Sequence, residues 1–186
     1  VLRIRPAHTR PSLDHRPDST ENQLLYYEPF DNISSGLGSW TQTIVYGAAS
    51  PNRWIIGNSA DPLFTTSAAF VSFNGTSAGY AGSSISDSAI IRLISPSINA
   101  TAFSNMRLSY LYKCYGEGTG GQGTLEVTGI DFGRVYYSTN NGANWNLLKD
   151  NIFGRNYKAM DELVLPASAN NCSALKIAFE WLNNRS

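Results

Sequence analysis

The sequence predicts an all-β fold, a jelly-roll β-sandwich of two antiparallel sheets, and three observations carry that prediction. Charged residues make up only 15% of the chain against 42% apolar, and Gly, Ser, Asn and Thr fill much of the rest. That balance is poor in helix-favouring runs and rich in turn formers. Short β-branched, aromatic and alternating runs recur, with turn signals between them at intervals of about 8–12 residues. No amphipathic helical period and no internal repeat is visible.

Residues 1–23 stand apart from the rest. They hold Arg3, Arg5, Arg10 and Arg16, the prolines Pro6, Pro11 and Pro17, and both histidines, His8 and His15. No apolar period runs through them, so they are expected to form an extended N-terminal arm or linker. Because the chain begins at Val1, it reads as a mature or excised piece of a longer protein.

The sandwich domain is expected over 24–186. Leu24 to Phe30 reads as a first strand, and Gly36, Gly38 and nearby serines turn the chain into a second over Ser39 to Tyr46. Arg53 to Gly57 is a short third. Ala68 to Phe73 alternates, and Asn74-Gly75 follows as a tight turn. Ser88 to Ser95 is apolar and β-branched until Pro96 stops it. Met106 to Tyr112 alternates cleanly. The run from Gly116 to Gly123, with five glycines, reads as a loop. Gly133 to Thr139 and Asn144 to Lys149 flank another turn, and Tyr157 to Leu165 and Ala174 to Trp181 complete the pattern. Ser138-Thr139-Asn140-Asn141-Gly142-Ala143-Asn144-Trp145 resembles an Asp-box, with Asn in place of the usual Asp and Thr. Its expected role is structural: a polar side chain at Asn140 on the turn backbone, positive φ at Gly142, and Trp145 packed beneath the hairpin.

Several function classes are excluded at this level. Fourteen basic residues balance fourteen acidic ones, which leaves no electrostatic footprint for nucleic acid. No apolar run reaches the roughly 18 residues of a membrane helix. A Ser-His-Asp site needs a histidine, and both lie in the expected arm. Glu117, Glu126, Asp131, Asp161, Glu162 and Glu180 are available for glycoside hydrolysis, but nothing in the sequence pairs two of them across a cleft. No phosphate-binding or metalloprotease motif is present. The chain is therefore not expected to be an enzyme. Cys114 and Cys172 make one bridge if their strands are neighbours, or are two small buried hydrophobes if not.

Aromatic residues are 12% of the chain. Aromatic faces stack on sugars while polar neighbours fix the hydroxyls. Tyr80, Tyr112, Tyr115 and Tyr157, close to predicted loops, are the candidate ligand-binding residues, with core packing as the competing role for each.

One ordered set of motifs goes further. Tyr27-Glu28-Pro29-Phe30-Asp31-Asn32, Gly38-Ser39-Trp40-Thr41, Arg53-Trp54, Leu93-Ile94-Ser95-Pro96-Ser97-Ile98 and Leu108-Ser109-Tyr110 follow one another over about residues 26–181. Together they resemble the choice-of-anchor J, or cleaved-adhesin-like, domains of Bacteroidetes surface proteins, jelly rolls related to MAM-type and galactose-binding folds. The resemblance implies a secreted or cell-surface accessory module of a larger parent chain, with no active site of its own. It places Trp40 and Trp54 in the core. It also implies a structural calcium ion, for which Glu28 and Asp31 are the candidate ligands and Asp87 a further one, since a hard cation gathers several oxygens. The family's last strand is not found after Glu180-Trp181, so the domain is expected to lack it. The expected function is carbohydrate or protein binding in adhesion, with a spacer or docking domain of a secreted hydrolase as the alternative and a glycosidase behind both.

Overall fold

The computed structural model describes residues 2–6, 24–31, 36–64, 66–116 and 130–184. Among the described residues are eleven strands: β1 (Leu2–Pro6), β2 (Tyr26–Glu28), β3 (Thr41–Tyr46), β4 (Arg53–Gly57), β5 (Ala68–Ser72), β6 (Ala89–Ile94), β7 (Met106–Cys114), β8 (Phe132–Ser138), β9 (Asn146–Ile152), β10 (Arg155–Val164) and β11 (Lys176–Asn183). The helical content of the described residues is two 3₁₀ turns, Ile85–Asp87 and Ala167–Ala169. A four-stranded sheet in the order β10-β7-β1-β2 faces a five-stranded sheet in the order β3-β6-β11-β8-β9, and β4 and β5 form a separate hairpin. Every strand pair is antiparallel. The predicted sandwich is therefore the observed fold.

Alternation decides which side chains enter the core, because successive residues of a strand point to opposite faces. On β7, Met106, Leu108 and Tyr110 are buried. On β11, Ile177 and Trp181 are buried, with half-buried Phe179 between them. Leu93 and Val135 join them from β6 and β8. Full burial of side chains of this size stabilises by about 1.5–3 kcal/mol each.

The outer face of β11 behaves differently. Glu180 is only 3% exposed there, because Arg92 of β6 and Arg134 of β8 close over it and the Tyr136 hydroxyl donates to its Oε1 at 3.2 Å. A buried carboxylate is tolerated when paired and hydrogen-bonded in this way.

The start of the chain departs from expectation. Leu2–Pro6 is not an arm outside the sandwich but a strand within it, paired with β2 on one side and β7 on the other. Leu2 and Ile4 are 1% and 0% exposed. Arg3 lies 5.3 Å over the Tyr27 ring and Arg5 pairs with Glu162 at 3.7 Å. Two apolar residues alternating with two arginines are too short a pattern to read as a period, and β7 and β2 supply the rest of the strand's environment. His8 and His15, the remainder of the expected arm and the glycine-rich stretch at 117–129, with Glu117 and Glu126, lie outside the described residues.

The Asp-box-like turn serves the fold as expected. Ser138 Oγ accepts from the Gly142 N–H at 2.9 Å, and Asn140 Oδ1 accepts from the Asn144 N–H at 2.9 Å. Gly142 has φ +91°, and a Cβ there would come within 3.3 Å of the Trp145 ring. Cys114 and Cys172 are not bridged. Their thiols donate to the carbonyls of Ile152 and Thr139.

Candidate functional site

The expected calcium ligands do not converge. Glu28 closes β2 and turns its carboxylate inward. Oε1 accepts from the Phe30 N–H at 2.7 Å and Oε2 from the Trp40 indole at 3.1 Å. These bonds hold Phe30 at φ +66°, with its ring 5.4 Å from that of Trp40. The Glu-Pro-Phe stretch is thus a clasp between β2 and the entry to β3. Asp31 is exposed beside it.

Asp87 lies at the other end of β3. Its side chain accepts from the Ser84 N–H at 2.9 Å in a capping box, and its carbonyl accepts from Ser50, Asn52 and Asn183. Six residues of β3, about 20 Å of strand, separate the two places. No group of three or more His, Cys, Asp or Glu at metal-holding spacing exists among the described residues. Calcium takes six to eight oxygens, backbone carbonyls among them, and residues 32–35, which follow Asp31, lie outside the described residues.

The other described carboxylates are engaged as well. Asp161 accepts from Lys149 at 2.7 Å and from the Tyr110 hydroxyl at 2.9 Å. Glu162 pairs with Arg107 at 3.0 Å. Asp131 accepts from the Asn184 N–H. Asp150 and Glu180 share Arg134, and Asp61 and Glu180 both line the cavity described next.

What the structure does bring together is aromatic. Where β7 ends and β11 ends, the two sheets part around a cavity of about 570 Å³. The β4–β5 hairpin forms one wall with Trp54 and Phe70, β7 another with Tyr110 and Tyr112, and β11 a third with Phe179 and Trp181. Tyr80 stacks on Trp181 with ring centroids 4.9 Å apart. Trp54 donates its indole N–H to the Ile91 carbonyl at 3.2 Å. That bond fixes its ring as wall as well as core, so the core role expected for Trp54 is only half of its position. Trp40 is buried as expected.

Three of the four candidate ligand-binding tyrosines, Tyr80, Tyr112 and Tyr115, line this cavity. Tyr115 is 68% exposed, while Tyr80 and Tyr112 are half-buried. Tyr157 is not in the wall. It stands exposed on β10 and accepts from Arg155 at 2.9 Å.

The charged residues in the lining are Asp61, Lys113, Arg134, Lys158 and Glu180. Lys113 and Asp61 form an ion pair at 2.6 Å. The Lys113 hydrogen bond and the Leu63 N–H hold the Asp61 carboxyl below the ordinary aspartate range. Burial, with the nearby Asp161 charge, pushes the hydroxyls of Tyr110 and Tyr112 up. The Cys114 thiol is pushed up to about 12 by burial. Hydroxyls and a thiol raised in this way stay neutral near neutral pH. Lys158 adds a cation at the cavity wall, its Nζ 5.2 Å over the Phe64 ring.

Sequence reasoning missed Trp181, Phe64 and the Asp61–Lys113 pair. Trp181 was within reach, since it falls on the inward phase of β11 with Ile177 and Phe179. Nothing in the sequence joins Asp61 to Lys113.

Fold and site together define an antiparallel β-sandwich with one hollow, aromatic end. No family model matches the chain, and no curated protein matches it. No helix among the described residues is long and apolar enough to cross a membrane.

Proposed function

We propose that the chain is a non-catalytic binding module that holds a small ligand in the hollow end of its sandwich. The observation that carries this reading is the cavity. Its volume of about 570 Å³ lies inside the roughly 300–1,000 Å³ range of ligand pockets, which are typically apolar and aromatic with a few placed polar groups. Asp61, Lys113, Arg134 and Glu180 are in ion pairs and Lys158 stands over the Phe64 ring, and the Tyr110 and Tyr112 hydroxyls and the Cys114 thiol are held neutral, which favours binding over turnover. The ordered motifs that resemble surface-protein accessory domains support a secreted or cell-surface setting within a larger parent chain. Calcium has no part in this reading.

Carbohydrate is a second reading for the same place, favoured by one feature. Tyr115 is largely exposed, and Asp61, Lys113 and Asn156 line the cavity with it, as a sugar-stacking edge would require. Heteronuclear NMR of the intact chain, titrated with flat apolar probes and separately with oligosaccharides, tests both. Shifts gathered on Tyr80, Tyr112 and Trp181 with the apolar probes support the cavity. Shifts on Tyr112 and Tyr115 with oligosaccharides alone select the sugar reading. No response to either panel defeats both and leaves a spacer or docking domain.

A further inference from the structure

Beside the cavity, β10 leaves its regular register. Arg155 pairs with Cys114 and Ala159 with Tyr112, so Asn156, Tyr157 and Lys158 stand opposite the single residue Lys113. A bulge of this kind breaks the alternation of a strand and re-aims its side chains. Here Asn156 and Lys158 both enter the cavity lining, while Tyr157 between them does not. The Lys158 Nζ itself stands 5.2 Å over the ring of Phe64, another residue of the lining. Charge then sorts the lining. Asp61 and Lys113 neutralise each other, and Glu180 and Arg134 belong to a network closed by Arg92 and Asp150. Lys158 is the charged residue of the lining with no carboxylate in ion-pair reach among the described residues. Arg155, where the bulge begins, has no such partner among them either. It donates to the Tyr157 hydroxyl at 2.9 Å and lies against Tyr112 of the lining.

We infer that the cavity takes an ionised carboxylate on a flat, apolar body, with the body against the aromatic walls and the carboxylate on Lys158 at the Phe64 side. The inference rests on the binding reading above and deepens it by naming the ligand's charge. The walls recognise the body by area, which discriminates little between flat molecules of equal size. Neutral donors in the lining serve charged and uncharged ligands alike, so they discriminate little as well. An unpaired cation does discriminate: a charge-assisted hydrogen bond is stronger than a neutral one, and a cationic ligand is repelled. The Asn156 side-chain amide, on the same bulge, carries two further donors suited to a carboxylate oxygen. Lys158 is thus the residue that sets the preferred charge, while Trp54 and Tyr80 set shape.

A matched pair of probes tests this on the intact chain at neutral pH and low salt: naphthylacetate and naphthylacetamide, nearly equal in shape and differing in charge. The acetate is expected to bind about fivefold more tightly, the upper end for an ion pair open to solvent. In Lys158→Gln the preference is expected to fall to about twofold or less, and in Lys158→Arg to persist. A second measurement needs no variant. Added salt should erode the preference in the wild type, because the screening length shrinks from about 30 Å at 0.01 M to about 3 Å at 1 M, and should leave the affinity for the amide nearly constant. Equal binding of the two probes, or a preference that either salt or Lys158→Gln leaves unchanged, overturns the Lys158 assignment and leaves the cavity as the binding site. Binding of neither probe overturns the cavity reading with it.

Discussion

The two ends of the sandwich are built from different side chains, and the difference separates what holds the fold from what it can do. Where β7 begins, the space between the sheets is filled by Ile98, Ala100, Met106, Leu165, Ala169 and Leu175, all nearly or fully buried. Backbone bonds seal that end, from Ile98 to Leu175 in both directions and from Ala100 to Cys172. Where β7 finishes, the sheets are held apart by Trp54, Tyr80, Tyr112 and Trp181, and a cavity remains between them. Aliphatic side chains branch and interdigitate to fill a volume. Rigid rings stacked at an angle, as Tyr80 is tilted on Trp181, leave slots that match other flat molecules. One end supplies stability and the other supplies a site.

Truncation should break that contrast first at the filled end. Leu175→Ala is expected to cost about 2–5 kcal/mol, read as a lower denaturation midpoint at unchanged slope. A loss under about 1 kcal/mol would mean that the filled end is not close-packed. Phe64→Ala, in the half-buried cavity wall, is expected to cost no more than about 1 kcal/mol, near the mean for point changes, while weakening any ligand held there. If the two truncations cost the same, the ends do not differ in the way described.

Cys114 sharpens the comparison chemically. With its thiol raised from an ordinary 9.0 to about 12, it carries on the order of a thousandfold less thiolate near neutral pH than a free cysteine. Alkylation followed by mass spectrometry on the native chain should therefore be slow at Cys114 and fast after unfolding. Rapid native labelling would show that solvent fills the hollow end.

The smallest effect concerns Asp61. Its folded pKa lies below the ordinary 3.8. The stability it contributes is therefore fully present above that value and is lost as pH falls through the folded pKa. Asp61→Asn should flatten this part of the acid limb of a stability–pH profile and change little near neutrality beyond the loss of the pair. An unchanged acid limb would mean that Lys113 and Asp61 do not hold the hairpin loop to β7.

Most of the strands were legible because their signals are local. β7 and β11 alternate visibly, Asn74-Gly75 and Asn140 to Gly142 carry turn chemistry, and Pro96 marks an end. β1 was not legible: two apolar residues between arginines become a strand only when β2 and β7 offer edges on both sides. The clasp at Glu28 shows the same limit in the other direction. A Glu and an Asp three residues apart read as cation ligands, yet the Glu28 oxygens meet the N–H groups of Phe30 and Trp40, the latter twelve positions on. Tyr80, Tyr112 and Tyr115 were chosen one by one for nearness to loops. Their meeting around one cavity depends on β5, β7 and β11 ending at the same place.

By itself, then, the amino-acid order determined the class of fold, the strand phases and the neutral, unsteered surface, since these follow from period, turn residues and charge count. Tertiary structure alone decided which of those phases face each other: that β1 enters the sheet, that Glu28 is a fastener, that Asp61 finds Lys113, and that the Trp181 indole stands in a cavity wall with no acceptor. Alternation along a strand says which side a residue points to, and only the packing of sheets separated by more than a hundred residues of chain says what waits on that side.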